Sequence, residues 1–154
     1  MDFDRIDRRI LDQLQRDNRI SNQDLAERVG LSPPACLRRV RKLRQSGVIL
    51  SDVALLDPIK LGQLFNIIVE VEMLRDQLDV YDAFVRKMQA APEVSQCYQV
   101  TGEIDFILVV QVPDMQAYEA FSRRDLSSDP LLSKFRSRIS LRREKFDTTV
   151  AIAT

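Results

Sequence analysis

SNQDLAERVGLSPPACLRRVRKLRQSG, residues 21 to 47, compresses two short helices, a tight turn and a dense run of basic residues into one module. Ser21 followed three residues later by Asp24 has the form of a capping box, and Leu25, Ala26 and Val29 give the helix that follows an apolar side before Gly30 stops it. Ser32 and Pro33 then open a second helix, because Pro at the first helical position removes an N–H that would have no partner there. At about 100° per residue, Cys36, Val40, Leu43 and Gly47 share one sector and define the buried side, with Leu37 at its edge. The other side carries Pro34, Ala35, Arg38, Arg41 and Lys42, with Arg39 and Arg44 at the border, and no acid occurs between Glu27 and Asp52. Two helices joined by three residues, the second basic outward, have the form of a helix-turn-helix. A solvated basic helix in an ordinary three-helix bundle gives the same pattern, so the charge run alone does not decide between them.

Working outward, residues 4 to 17 place Ile6, Ile10, Leu11 and Leu14 on one stripe, which supplies the third helix of a small bundle. VILSDVALL, residues 48 to 56, is β-prone and bounded by Asp57 and Pro58; it reads as a linking strand or short ribbon, and the stretch from Ile59 to Leu64 as the domain boundary. Beyond it the period becomes two: Phe65, Ile67, Val69, Val71 and Met73 alternate with more polar positions. Asp79 reads as the cap of a helix with Val80, Phe84, Met88 and Ala91 on one face. Residues 94–100 and 104–112 read as strands, Asp114 opens another helix, and Phe135, Ser137, Ile139 and Leu141 mark a fourth strand. The order is βαββαβ, an antiparallel sheet with both helices on one face. Ile68, Cys97, Ile107 and Val109 are expected on the other face, whose apolar groups predict homodimerisation. Residues 146–154 are expected to add a last strand. The assignment is therefore α+β: residues 1–50 a helix-turn-helix domain, 51–63 a linking strand and hinge, and 64–154 a βαββαβ oligomerisation domain.

The 154-residue chain has zero formal net charge, which hides an asymmetry. Residues 1–50 hold eleven Lys and Arg against seven Asp and Glu, and the remainder twelve against sixteen. A basic segment on an acidic remainder suits a nucleic-acid module joined to a different domain. Two cysteines, Cys36 and Cys97, and no histidine give neither a disulfide framework nor a metal-ligand pattern, so no metal and no cofactor is expected. Nor is there a nucleophile with a base or a phosphate-cradling glycine loop, so an enzyme is not expected. No apolar run is long enough to span a bilayer and no secretory leader is apparent; a cytoplasmic, nucleoid-associated protein without membrane contact is the expectation.

Three stretches together resemble the Lrp/AsnC (leucine-responsive and asparagine regulator) family over essentially the whole chain. They are DRIDRRILDQLQRDNRISNQDLAERVGLSPPACLRRVRKLRQSGVI at 4–49, TGEIDFIL at 101–108 and VPDMQAYEAF at 112–121. The resemblance implies an N-terminal winged helix-turn-helix, a linking strand and a C-terminal ferredoxin-like (ACT-like) domain that senses amino acids. It also implies dimers, often assembled into tetramers or octamers, that bind and bend double-stranded promoter DNA. Carried to this chain, the DNA-facing set is Ser32, Pro34, Ala35, Arg38, Arg39, Arg41 and Lys42 on a recognition helix from Pro33 to Ser46. The effector set, between dimers, is Thr101, Gly102, Glu103, Ile104 and Asp105, with Ser133 before the last strand. A glycine turn lets a ligand approach backbone N–H groups, and an acid can pair with an α-ammonium group.

Two functions follow. One is a sequence-specific transcription regulator whose assembly or DNA affinity responds to a small amino-acid effector. The other is an architectural protein that wraps DNA with little ligand control, through avidity of many DNA-binding units on one oligomer.

Overall fold

A computed structural model describes residues 3–75 and 77–153 and divides the chain into two units. One comprises residues 1–55 together with 145–154, the other residues 56–144.

The first unit holds three helices, α1 (Arg5–Arg16), α2 (Asn22–Val29) and α3 (Pro33–Gln45). Asp4 caps α1 by accepting the Asp7 N–H at 2.8 Å. The stripes read from the sequence converge on one core, with Ile10, Leu25, Ala26, Val29, Cys36, Val40 and Leu43 buried and Ile6, Leu11 and Leu14 packed at its margin. Residues 145–153 join this unit and form no strand, contrary to the expected last strand of a 64–154 domain. Side chains of α1 hold them instead. The Gln15 amide donates to the Val150 carbonyl at 3.1 Å and accepts the Val150 N–H at 2.8 Å, and Arg8 Nη1 donates to the Ala153 carbonyl at 2.8 Å. Arg8 and Gln15 lie two turns apart on one face of α1, about 10 Å, which matches three residues of extended chain. An apolar pair, Val150 and Ile152, suggested a strand, but the tail satisfies its backbone on a helix.

Residues 48–56 likewise form no strand. A strand needs a neighbour for its N–H and C=O groups, and within one chain this segment has none, so Leu50, Val53, Leu55 and Leu56 stay exposed. Residues 58–63 form a compact turn: Pro58 O accepts from Leu61 and Gln63, and Gly62 takes φ 80°.

The second unit runs β1 (Phe65–Met73), α4 (Leu78–Ala90), β2 (Val94–Gln99), β3 (Phe106–Val112), α5 (Met115–Phe121), a π-helical segment (Ser122–Ser127) and β4 (Leu132–Ile139). The sheet order is β2-β3-β1-β4 and every pair is antiparallel. One face, with Ile67, Val69, Val71, Phe106, Leu108 and Val110, packs against Val80, Phe84 and Met88 of α4 and Tyr118 and Phe121 of α5. Phe106 lies at the centre, its ring 5.2 Å from Tyr81 and 4.8 Å from Phe84. Gln77, not Asp79, occupies the cap position of α4 and makes no side-chain cap bond; Asp79 sits in the first turn.

Cys97 departs from the expected face. The β2–β3 register shifts between Val94 and Gln96, so Ser95 is an extra residue and the alternation inverts after it. Cys97 pairs with Leu108 on the helix-covered side, and Tyr98, paired with Ile107, takes the open side. The open face therefore presents Ile68, Tyr98, Ile107 and Val109, with Glu70 and Arg138 paired across strands at 2.9 Å.

Phe106→Ala removes a fully buried ring and is expected to cost about 3–5 kcal/mol, seen as a lower denaturant midpoint for the sheet unit; a loss under 1 kcal/mol contradicts the central packing described.

Candidate nucleic-acid interface and effector turn

The helix-turn-helix is fixed at its turn. Gly30 adopts φ 75°, its N–H bonds to Glu27 O, and the Leu31 N–H reaches back to Ala26 O at 2.9 Å, a Schellman termination of α2. At the other end of α2, Ser21 Oγ accepts the Asp24 N–H at 3.1 Å and donates to the Asp24 carboxylate at 2.7 Å. Asn22 Nδ2 donates to Pro33 O at 2.9 Å and ties the start of α2 to the start of α3. Ser32 stands at the N-cap of α3 but its hydroxyl makes no cap bond. Pro33 and Pro34 have no N–H to offer, so that bond had only the Ala35 N–H available.

With Cys36, Val40 and Leu43 buried, the opposite side of α3 is set. Ser32, Pro34, Arg38, Arg41 and Lys42 are exposed and Ala35 is half-buried. Arg38, Arg41 and Lys42 have no acidic partner among the described residues, so their charge is available to an outside anion. Arg39 differs. Its Nη1 bonds Asp4 at 2.6 Å and Asp7 at 2.8 Å, so it braces α3 to the start of α1 rather than standing free with the other basic residues. These bonds hold the Arg39 guanidinium above its ordinary pKa. The Asp4 carboxyl lies below its usual range, held first by the Asp7 N–H and then by Arg39. Arg44 is paired with Asp52 at 3.0 Å. The sequence signals Asp4 and Asp7 only as helix-start acids; nothing local marks their partner more than thirty residues on.

In the sheet unit, Thr101, Gly102 and Glu103 are exposed at the β2–β3 turn, Ile104 and Asp105 are half-buried, and Gly102 has φ 117°, which favours glycine. Asp105 is braced rather than free. Its backbone N–H bonds Val71 O at 2.8 Å, one carboxylate oxygen accepts the Met73 N–H at 2.6 Å, and the other accepts the Tyr81 hydroxyl. The β1–β3 ladder ends at Val71 and Phe106, so Met73 finds no backbone acceptor on that side and the Asp105 carboxylate replaces it. The resemblance implies an acid for an ammonium group at this position; within the chain each of its carboxylate oxygens already accepts one bond. Ser133 is exposed and is the extra residue of a bulge, since Glu72 pairs with Lys134 and Met73 with Leu132. The turn and Ser133 lie at the same end of the sheet with β1 between them, a separation of two strand spacings, about 10 Å. Among the described residues no group of three or more His, Cys, Asp or Glu is placed to hold a metal.

A three-helix unit whose third helix turns unneutralised Arg38, Arg41 and Lys42 outward, followed by a four-stranded ferredoxin-like sheet, has the form of a helix-turn-helix DNA-binding module joined to a separate α+β domain. Residues 3–49 match the winged helix-turn-helix DNA-binding family and residues 66–150 the Lrp/AsnC ligand binding domain. The leucine-responsive regulatory protein of Escherichia coli is 39% identical over 153 residues, which is 99% of this chain and 93% of that protein. Among solved structures, an AsnC family transcriptional regulator from Agrobacterium tumefaciens superposes with TM-score 0.90 at 34% identity, over 97% of each chain. A Neisseria meningitidis transcriptional regulator in complex with L-Met gives TM-score 0.90 at 32% identity, also over 97% of each. This chain belongs to the Lrp/AsnC family of transcription regulators.

Arg39→Ala is expected to lower the thermal midpoint of the helix unit while leaving the salt dependence of DNA binding unchanged. The Asp4–Arg39 contribution is present above the ordinary carboxylate range and lost as pH falls through the depressed Asp4 pKa, so the difference between wild type and variant closes in acid. A salt slope lower by about one in the variant would put Arg39 on a phosphate instead.

Proposed function

We propose that this protein is a sequence-specific regulator of promoter DNA, read through α3, whose assembly or DNA affinity responds to a small amino acid bound between dimers. One observation carries the DNA half of this reading: Arg38, Arg41 and Lys42 stand unneutralised on the exposed side of a helix whose other side is the core. Arg and Lys neutralise phosphates, and the small residues Ser32, Pro34 and Ala35 at the start of α3 let it approach base edges. Arg39 is left out of this contact set because of its bonds to Asp4 and Asp7.

Dimerisation is proposed through the open sheet face of Ile68, Tyr98, Ile107 and Val109, and further assembly into tetramers or octamers around it. A twofold dimer presents two recognition helices to half-sites about one helical turn apart. The effector is proposed at the Thr101–Gly102–Glu103–Ile104 turn, with Ser133 across β1; the L-Met complex of the Neisseria relative supports an amino acid as its class. Asp105 serves there by holding the turn against β1 and α4. No helix is long and apolar enough to cross a membrane among the described residues, which fits the proposal of a cytoplasmic, nucleoid-associated protein. A ligand-independent, architectural DNA-wrapping role is the second reading, and the internal engagement of both Asp105 carboxylate oxygens favours it.

Thermal unfolding with each common amino acid at millimolar concentration separates the two. A ligand that binds only the native state at a hundred times its Kd adds about 2.7 kcal/mol. The regulator reading expects a shift with one or a few amino acids that falls in Glu103→Gln or Ser133→Ala, while Asp105→Ala lowers stability by about 1–3 kcal/mol without any ligand. No shift with any amino acid, in protein that still binds duplex, leaves the architectural reading. In DNA binding, Arg38→Ala is expected to weaken affinity and lower the salt slope by about one; an unchanged affinity and slope would remove Arg38 from the interface.

A further inference from the structure

A second basic cluster lies outside α3. Arg5 and Arg9 of α1 and Arg28 of α2 line a cavity of about 290 Å³ together with Gln13, Asp12 and Val29. None of the three arginines has an acidic partner among the described residues. Asp12, the one carboxylate in the lining, is already bonded by Arg16 at 3.1 Å and by the Gln15 amide at 3.0 Å. Two of the arginines are steered by neutral acceptors that fix them without cancelling their charge. Arg9 Nη2 donates to the Arg28 carbonyl at 2.6 Å, and Arg28 Nη1 donates to Gln13 Oε1 at 3.0 Å.

The arrangement is unfavourable for an isolated helix. Arg5 is the first residue of α1, a cation at the positive end of the helix dipole, and it stands four residues from Arg9, a like-charge pair on one face. An anion among the three guanidinium groups removes both penalties. The planar fork of each group matches two oxygens of a phosphate, which a point charge does not.

We propose that Arg5, Arg9 and Arg28 form a clamp for one backbone phosphate of duplex DNA, separate from the recognition helix. The proposal rests on the DNA-binding reading. In a helix-turn-helix the first helix crosses the backbone while the second enters the groove, and Arg28 lies on that first helix, four residues before Ser32. A phosphate held here fixes the position of the unit on the duplex and carries no base information. The clamp acts alike on every sequence.

The test is duplex binding by fluorescence anisotropy across a salt series, with the full chain as wild type, Arg5→Gln, Arg28→Gln, the double variant, and Lys60→Gln. Lys60, 84% exposed in the other unit, controls for loss of one general positive charge. Arg5 makes no hydrogen bond among the described side-chain contacts, so its variant tests charge without disturbing the fold. The expected result is a several-fold weaker affinity in the double variant, a salt slope lower by about one, smaller losses in each single variant, and an unchanged ratio of specific to non-specific affinity. Equal slopes and affinities in Arg5→Gln and wild type overturn the clamp, as does an equal loss in Lys60→Gln. A changed specificity ratio overturns the backbone assignment in favour of base contact. A wild type that binds no duplex removes the DNA reading itself and the clamp with it.

Discussion

The sheet unit depends on β1. It is bonded on both edges, to β3 from Phe65 to Val71 and to β4 from Ile67 to Met73, so its pleat decides which side chains of three strands face the helices. Ile67, Val69 and Val71 are fully buried because each alternates onto the side covered by α4 and α5. The same strand also outruns β3 by a residue pair, and that overhang is why Asp105 must close the ladder with a side chain. Through Tyr81 the carboxylate then links the turn to α4. A change at the Gly102 turn therefore bears on the strand end and on a helix together, through one side chain.

Electrostatics divide the helix unit by function. Arg39 and Arg44 are committed to Asp4, Asp7 and Asp52, which locks α3 against the rest of its own chain. Arg38, Arg41 and Lys42, one or two positions away, are left unneutralised. Burial of Cys36, Val40 and Leu43 makes this separation possible, because a helix fixed in rotation has fixed sides. The core of three helices thus specifies which charges are structural and which face outward.

Much of this was legible in the sequence, and the exceptions share a cause. Period 3.6 at Leu25, Val29, Cys36, Val40 and Leu43 and period two at Ile67, Val69 and Val71 located the helices, the central strand and both cores, because those signals are local. Strict alternation puts Cys97 on the open face, but a bulge at Ser95 inverts it, and a bulge leaves no mark when the inserted residue is an ordinary serine. Arg39 and Asp105 read by type as a basic helix residue and an acid near a glycine, and their bonds to Asp4, Asp7, Met73 and Tyr81 across the fold leave no local mark. The tail and the 48–56 segment both look like strands by composition, yet pairing requires a neighbour that composition cannot name.

The clip between Gln15 and Val150 joins two stretches separated by the entire sheet unit. Residues 56–144 are continuous and hold everything their own core requires, whereas α1 receives its clip only from chain that follows them. During synthesis, when domains form as their residues emerge, the three helices are made first and completed last. The three helices therefore precede the sheet unit in order of synthesis, while the backbone that pairs with Gln15 and Arg8 follows it.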